Sequence, residues 1–118
     1  MATIEELMRA NLLEVFNERD GDRRRGAIDR TYVTGVRFSD PEESVTGRDA
    51  LDAKAQRILD EAPGFVFSPG GAVYVNHDLG YLRWNFGPQG EPPAVRGVDI
   101  ALVEDGRIVR VYTLLLSE

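Results

Sequence analysis

Apolar residues recur with a helical period in the first half of the chain and with a period of two in the second. Thr3-Ile4-Glu5-Glu6 has the form of a capping box, with Thr3 as N-cap and Glu6 reaching back. Behind it Ile4, Leu7, Met8, Leu12, Val15 and Phe16 form one apolar stripe, which predicts a helix of about four turns ending between Asn17 and Asp20. Gly21-Asp22 opens a second, shorter helix carrying Arg23, Arg24 and Arg25 and then Ala27, Ile28 and Tyr32. The β-branched and aromatic run Tyr32–Phe38 predicts a short strand, closed by the turn Ser39-Asp40-Pro41. Glu42 to Val45 is expected as loop. Thr46 or Gly47 opens a third helix with Leu51, Ala55, Ile58, Leu59 and Ala62 on its buried stripe, and Pro63-Gly64 ends it.

Beyond Gly64 the alternation is that of strands. Phe65 and Phe67 alternate with other residues up to Ser68-Pro69-Gly70-Gly71. Ala72–Val75 and Leu79–Phe86 flank a turn at Asn76-His77-Asp78. After the loop from Gly87 to Pro93 comes a long strand from about Ala94 to Glu104, the tight-turn dipeptide Asp105-Gly106, and a last strand from Ile108 to Leu116. Helices first and an antiparallel meander after them predict one α+β domain over residues 1–118.

Face parity brings the candidate chemistry into view. In the long strand Gly97, Asp99, Ala101 and Val103 share one face, and Arg96, Val98, Ile100 and Leu102 the other. In the last strand Val109, Val111, Thr113 and Leu115 share one face, and Arg110, Tyr112, Leu114 and Leu116 the other. Both faces are largely apolar, yet the helices can cover only one. A second copy of the sheet is the economical cover for the other, so a homodimer through Val98, Ile100, Leu102, Tyr112 and Leu114 is expected. The face holding small residues and Asp99 suits a pocket, with Leu82, Trp84 and Phe86 on the neighbouring strand. Leu12, Phe16, Phe38, Leu59, Ala101, Val111, Thr113 and Leu115 complete its expected lining. Aromatic walls with a few polar groups describe a small-molecule site, and equally an ordinary core.

Composition narrows the partners. With 42% hydrophobic and 29% charged residues, the chain can bury a core and is not expected to be disordered. The formal net charge of -6 gives no basic footprint for nucleic acid or an anionic membrane. The absence of cysteine removes disulfides and thiolate chemistry, and a lone histidine argues against a zinc site built from protein ligands. No apolar run approaches the roughly 20 residues that span a bilayer, and the charged first turns do not resemble a signal peptide, so a soluble cytoplasmic protein is expected.

Asp99 is the residue with the strongest claim to chemistry. A carboxyl inside an apolar strand must be hydrogen-bonded, protonated or turned to a wet cavity, and desolvation raises its pKa toward the range useful for acid/base work. The competing reading is a structural aspartate. Asp40, just before a proline, fits a turn-building role at least as well. If buried, Trp84 needs a partner for its indole N–H, and Thr113 stands on the same face as Asp99. His77 is expected as an exposed turn residue and the three arginines as a solvated face.

Several motifs together resemble the SnoaL-like branch of the nuclear transport factor two-like superfamily. They are Val15-Phe16-Asn17 before Asp20, Phe38-Ser39-Asp40-Pro41, Gly47, Trp84-Asn85-Phe86-Gly87-Pro88, Gly97-Val98-Asp99 and Asp105-Gly106-Arg107-Ile108. The resemblance spans nearly the whole chain. It implies a cystatin-like α+β cone or barrel, in which three helices pack in the concave face of a highly curved antiparallel sheet around an internal pocket, often as a dimer. In steroid-isomerase-like members a general-base aspartate lies in an Asp-Pro turn, where Asp40 falls. A second, protonated aspartate lies in the penultimate strand, where Asp99 falls. The chain departs from them at the first-helix tyrosine, where Leu12 or a neighbour stands. Polyketide-cyclase-like members pair a late-strand aspartate with a histidine, a place His77 does not obviously take.

Two functions follow as expectations. One is an enzyme (an isomerase, cyclase, lyase or hydrolase) acting on a small, mostly apolar molecule that bears a carbonyl or epoxide, with Asp99 and Asp40 dividing the acid/base work and no metal or organic cofactor implied. The other is a carrier, sensor or accessory subunit in which Asp99 only anchors a polar ligand group.

Overall fold

The computed structural model describes residues 1–117. Helix α1 (Ile4–Ala10) begins at the capping box: Glu6 N–H donates to Thr3 Oγ1 at 3.1 Å and Thr3 N–H to Glu6 Oε1 at 2.8 Å. The helix does not run on unchanged. From Asn11 to Phe16 it widens into a π-helix, with Asn17 N–H donating to the Leu12 carbonyl five residues back. The wider turn sets Asn11, Leu12, Val15 and Phe16 together on the buried side. Helix α2 (Gly21–Thr31) is capped by Asp20, whose carboxylate accepts from the amides of Asp22 and Arg23. Helix α3 (Arg48–Asp60) starts after Gly47, at φ 99°.

The strands are β1 (Tyr32–Ser39), β2 (Ser44–Thr46), β3 (Phe65–Pro69), β4 (Tyr74–Asn76), β5 (Leu79–Pro88), β6 (Val95–Glu104) and β7 (Arg107–Leu115). They form one sheet in the order β2-β1-β7-β6-β5-β3, with β4 also paired to β5. The sheet is open, so the arrangement is a cone rather than a closed barrel. Segment 42–45, expected as loop, contributes its end to β2, where Val45 pairs with Phe38. The sheet is also not antiparallel throughout: β1 runs parallel to β7, with Phe38 opposite Val111. Period-two alternation fixes faces and carries no information about strand direction, and the long crossover through α3 makes a parallel partner possible.

The β6–β7 hairpin turns at Asp105 and Gly106, both at positive φ (49° and 76°), as a tight primed turn demands. A bulge follows at once. Val103 pairs with Ile108 but Leu102 with Arg110, so Val109 is the extra residue. Ile108 therefore takes the core position that simple parity gave to Val109, which is only half-buried.

The three helices cover the inner face of the sheet. Leu7, Met8 and Val15 pack with Ile28, Leu51, Ala55 and Leu59 against Val36, Leu82, Ala101 and Val111. Each large apolar side chain buried this way contributes about 1.5–3 kcal/mol. Arg24, expected on a solvated face, is instead buried between α2 and α3, where its guanidinium donates to Asp52, Gln56 and the Glu18 carbonyl. Arg19 donates to the carbonyls of Leu59, Ala62 and Phe65 and so satisfies the C-terminal end of α3. On the outer face Tyr112 and Leu114 are 39% and 51% exposed and Ile100 and Leu102 half-buried. Val98, expected on that outer surface, is 3% exposed, flanked in register by Arg83 and Leu114. Among the described residues no helix is long and apolar enough to cross a membrane.

Candidate functional site

A cavity of about 160 Å³ lies between the helices and the inner face of the sheet. Its apolar walls are Leu12 and Phe16 from the π turn, Phe38 from β1, Ile58 from α3, Phe67 from β3, Trp84 and Phe86 from β5, Val95 from β6 and Leu115 from β7. Val95 and Leu115 are also exposed, and mark where the cavity meets solvent. The rings pack on one another. Phe67 stacks on Phe86 at 4.0 Å between centroids and meets Trp84 edge-on at 5.3 Å, and Phe16 lies 5.1 Å from Phe38. Three polar side chains complete the lining: Asp99, Thr113 and Asp40.

Asp99 is 5% exposed and held by three donors. Thr113 Oγ1 donates to Oδ1 at 2.7 Å, Trp84 Nε1 donates to Oδ1 at 3.0 Å, and Asn11 Nδ2 donates to Oδ2 at 2.8 Å. Strand register builds the cluster, since Asp99 sits opposite Thr113 on β7 and diagonal to Trp84, which pairs with Gly97 on β5–β6. Gly97 is needed for this: a Cβ there would lie 2.2 Å from Cζ2 of Trp84, so the indole rests directly on the β6 backbone. Behind Asn11 stands Tyr32, fully buried, whose hydroxyl donates to Asn11 Oδ1 at 2.5 Å. That bond fixes the Asn11 amide with its NH2 turned toward Asp99. Burial pushes the Asp99 carboxyl above its ordinary value, and the hydrogen bonds from Thr113, Trp84 and Asn11 oppose the push without cancelling it. Burial, with the Asp99 charge nearby, pushes the Tyr32 phenol well above its ordinary range, so Tyr32 remains a hydroxyl donor.

Asp40 is built differently. Its Oδ1 accepts from the amides of Glu42 at 3.0 Å and Glu43 at 2.9 Å, which closes the Asp-Pro turn. Its Oδ2 lies 2.9 Å from Nζ of Lys54, a lysine 3% exposed on α3 that also reaches Glu43 at 2.9 Å. Burial pushes the Asp40 carboxyl up, but Lys54 and the two amides outweigh it and hold it below the ordinary carboxylate range. The cavity thus carries one carboxyl biased toward its proton and one biased toward its charge.

Among the residues assigned to the pocket from sequence, Leu12, Phe16, Phe38, Trp84, Phe86, Thr113 and Leu115 line the cavity together with Asp40 and Asp99. Leu59, Leu82, Ala101 and Val111 do not. They are packed in the core beside it, because parity chooses the inner face but not how deep along the cone a residue lies. Asn11, Tyr32, Lys54, Ile58, Phe67 and Val95 were not assigned to the site. Two of them carried a signal. Asn11 is i+4 from Leu7 and i+3 from Met8, and Lys54 is i+3 from Leu51, so each is a polar residue on an apolar stripe. Tyr32 carried none, since its partner is fixed only by tertiary packing. His77 is exposed in the β4–β5 turn at φ 52° and does not line the cavity.

Three helices on a curved, open sheet enclosing a carboxyl-bearing apolar cavity define an α+β cone domain. A model of the SnoaL-like domain matches residues 10–111, and the chain belongs to that family. No curated protein matches it. Solved structures show the same fold. A candidate isomerase of the SnoaL-like family from Agrobacterium tumefaciens superposes with a TM-score of 0.87 at 21% identity, covering 94% of this chain and 95% of that one. A candidate ketosteroid isomerase from Kribbella flavida gives 0.70 at 20% identity, covering 98% of this chain and 78% of that one. A candidate SnoaL-like polyketide cyclase from Jannaschia gives 0.72 at 19% identity, covering 98% and 89%.

Proposed function

We propose that the protein is an acid/base enzyme that moves a proton on a small, mostly apolar carbonyl compound held in this cavity. One observation carries the reading: Asp99 and Asp40 line the same apolar cavity, and their surroundings push their proton affinities in opposite directions. In this reading protonated Asp99 donates to the carbonyl oxygen, while the Asp40 carboxylate takes a proton from the adjacent carbon. The product is an enol, with Asp99 ionised and Asp40 protonated. In a β,γ-unsaturated ketone Asp40 then delivers its proton to the γ carbon while the enol O–H returns its proton to Asp99. That completes an isomerisation and restores both carboxyls, whereas return to the α carbon gives back the substrate. Structural neighbours described as isomerases support the class of reaction.

A non-catalytic carrier is the second reading. It is favoured by the way protein donors already occupy both oxygens of Asp99. Hydrogen–deuterium exchange next to the carbonyl separates the two, followed by NMR over a panel of ketones from one ring to four. The enzyme reading expects exchange well above the buffer rate, falling about 10²–10⁴-fold in Asp99→Ala and in Asp40→Asn. Ligand binding without exchange above the buffer rate would leave only the carrier.

A further inference from the structure

We infer that the cavity selects an uncharged, single-ring molecule bearing one oxygen, and discriminates against fused polycycles and carboxylate anions. This deepens the reading above by naming the ligand class, and rests on it only for the location of the ligand.

The volume sets the first limit. About 160 Å³ is close to an engineered apolar cavity of about 150 Å³ that holds one benzene. A second fused ring must either displace wall atoms or leave its apolar surface in water at the mouth beside Val95 and Leu115, and the walls have little room to retreat. Trp84 already rests on the Gly97 backbone, and Phe67 is wedged between Trp84 and Phe86 by ring contacts on both. Closely packed interiors resist such overfilling.

Charge sets the second limit. Among the described residues that line the cavity, none is a lysine or arginine, and the only ionisable ones are Asp40 and Asp99. An anion entering would lose its hydration, meet the Asp40 carboxylate and find the nearby Lys54 ammonium already paired with Asp40 and Glu43. A cation would find Asp40 already paired with Lys54 at 2.9 Å. A neutral ligand suffers neither penalty. Its ring meets the aromatic wall, and a single oxygen reaches the polar end formed by Asp99 and Thr113.

Trp84 is the sole tryptophan of the chain and lines the cavity, so its emission reports occupancy. The probes are cyclohexanone, 2-decalone and cyclohexanecarboxylate, none of which fluoresces. Cyclohexanone is expected to change the emission saturably, and the two-ring ketone and the anion to half-saturate at roughly tenfold or higher concentration. Ile58→Ala, at a half-buried wall position on α3, is expected to narrow the gap between decalone and cyclohexanone, and Phe67→Ala provides a second enlargement if the first variant folds poorly. Equal or tighter binding of decalone or of the carboxylate by the wild type overturns the inference. So does a gap unchanged in folded Ile58→Ala and Phe67→Ala, or no saturable response to cyclohexanone. Selective binding of cyclohexanone without deuterium exchange would instead remove the enzyme reading and leave this one standing.

Discussion

At Asp99 burial and hydrogen bonding pull the carboxyl in opposite directions, and burial wins. The consequence for stability has a definite sign. A carboxyl whose folded pKa is raised binds more protons in the folded state than in the unfolded chain over the window between the two values. Its contribution is therefore complete below the ordinary value of about 4 and is lost as pH rises through the raised folded value. Asp40 has the opposite sign: its contribution is present above about 4 and is lost as pH falls through its depressed folded value. Urea denaturation across pH is expected to show wild type losing stability relative to Asp99→Asn as pH climbs above about 4. Relative to Asp40→Asn, wild type should lose stability only as the solution turns more acidic. A difference that is flat with pH in either comparison contradicts the corresponding shift. Lys54→Met strands Asp40 and Glu43 without their shared cation, and is expected to cost about 1–3 kcal/mol by the same measurement. That is less than a fully buried pair would lose, because both carboxylates keep some contact with water. In the network behind Asp99, Tyr32→Phe removes only the last donor and should cost about 1 kcal/mol. Asn11→Ala leaves the Tyr32 hydroxyl without its partner and takes a donor from Asp99, so it should cost more and push the Asp99 midpoint higher in carboxyl NMR.

Among the elements, β6 carries the most specific demand. Gly97→Ala is expected to lift the indole off the strand, break the Trp84–Asp99 bond and cost about 1–3 kcal/mol. A red shift in Trp84 emission checks it, and unchanged emission in a folded variant would contradict the close approach. Elements whose cause is local were legible from their residues. The capping box at Thr3 and Glu6, the Asp105-Gly106 turn and the stripe on α3 each needed only their own neighbours. Those that failed are set by distant contacts. The π turn at Asn11–Phe16 preserves the apolar stripe that a plain helix would show, so periodicity cannot distinguish them. The Val109 bulge follows from how β7 meets β6 beyond a tight turn, and β2 exists only because β1 offers it an edge.

At the scale of the molecule, the outer face still presents Tyr112 and Leu114, with Ile100 and Leu102 half-covered. We predict a homodimer through this face, without a large contribution from Val98, which the chain already covers by itself. Light scattering is expected to return twice the 13.1 kDa of the chain, and Leu114→Glu to return the single mass. A wild type that scatters as a monomer at micromolar concentration removes this expectation. The cone, its helices and the facing of Asp99 could be read from alternation and from motif order. The shape of the cavity could not, since it depends on which inner-face residues meet helices and which are left uncovered. Leu82 and Trp84 share a face and a strand, yet only Trp84 borders the open space.

The parallel pairing of β1 with β7 also bears on how the chain acquires its shape during synthesis. Phe38 finds its partner in Val111, so the strand that delivers Asp40 to the cavity has no neighbour on that side until the chain has been made past residue 111. Contacts so far apart in sequence close late and slowly, because the intervening chain must first be ordered. Until β7 has been made and has emerged, β1 is an edge strand with an exposed ladder, paired only to the short β2. The two carboxyls therefore meet in one cavity only as one of the closing events of folding, and a nascent chain lacking β7 would have neither the completed sheet nor the site.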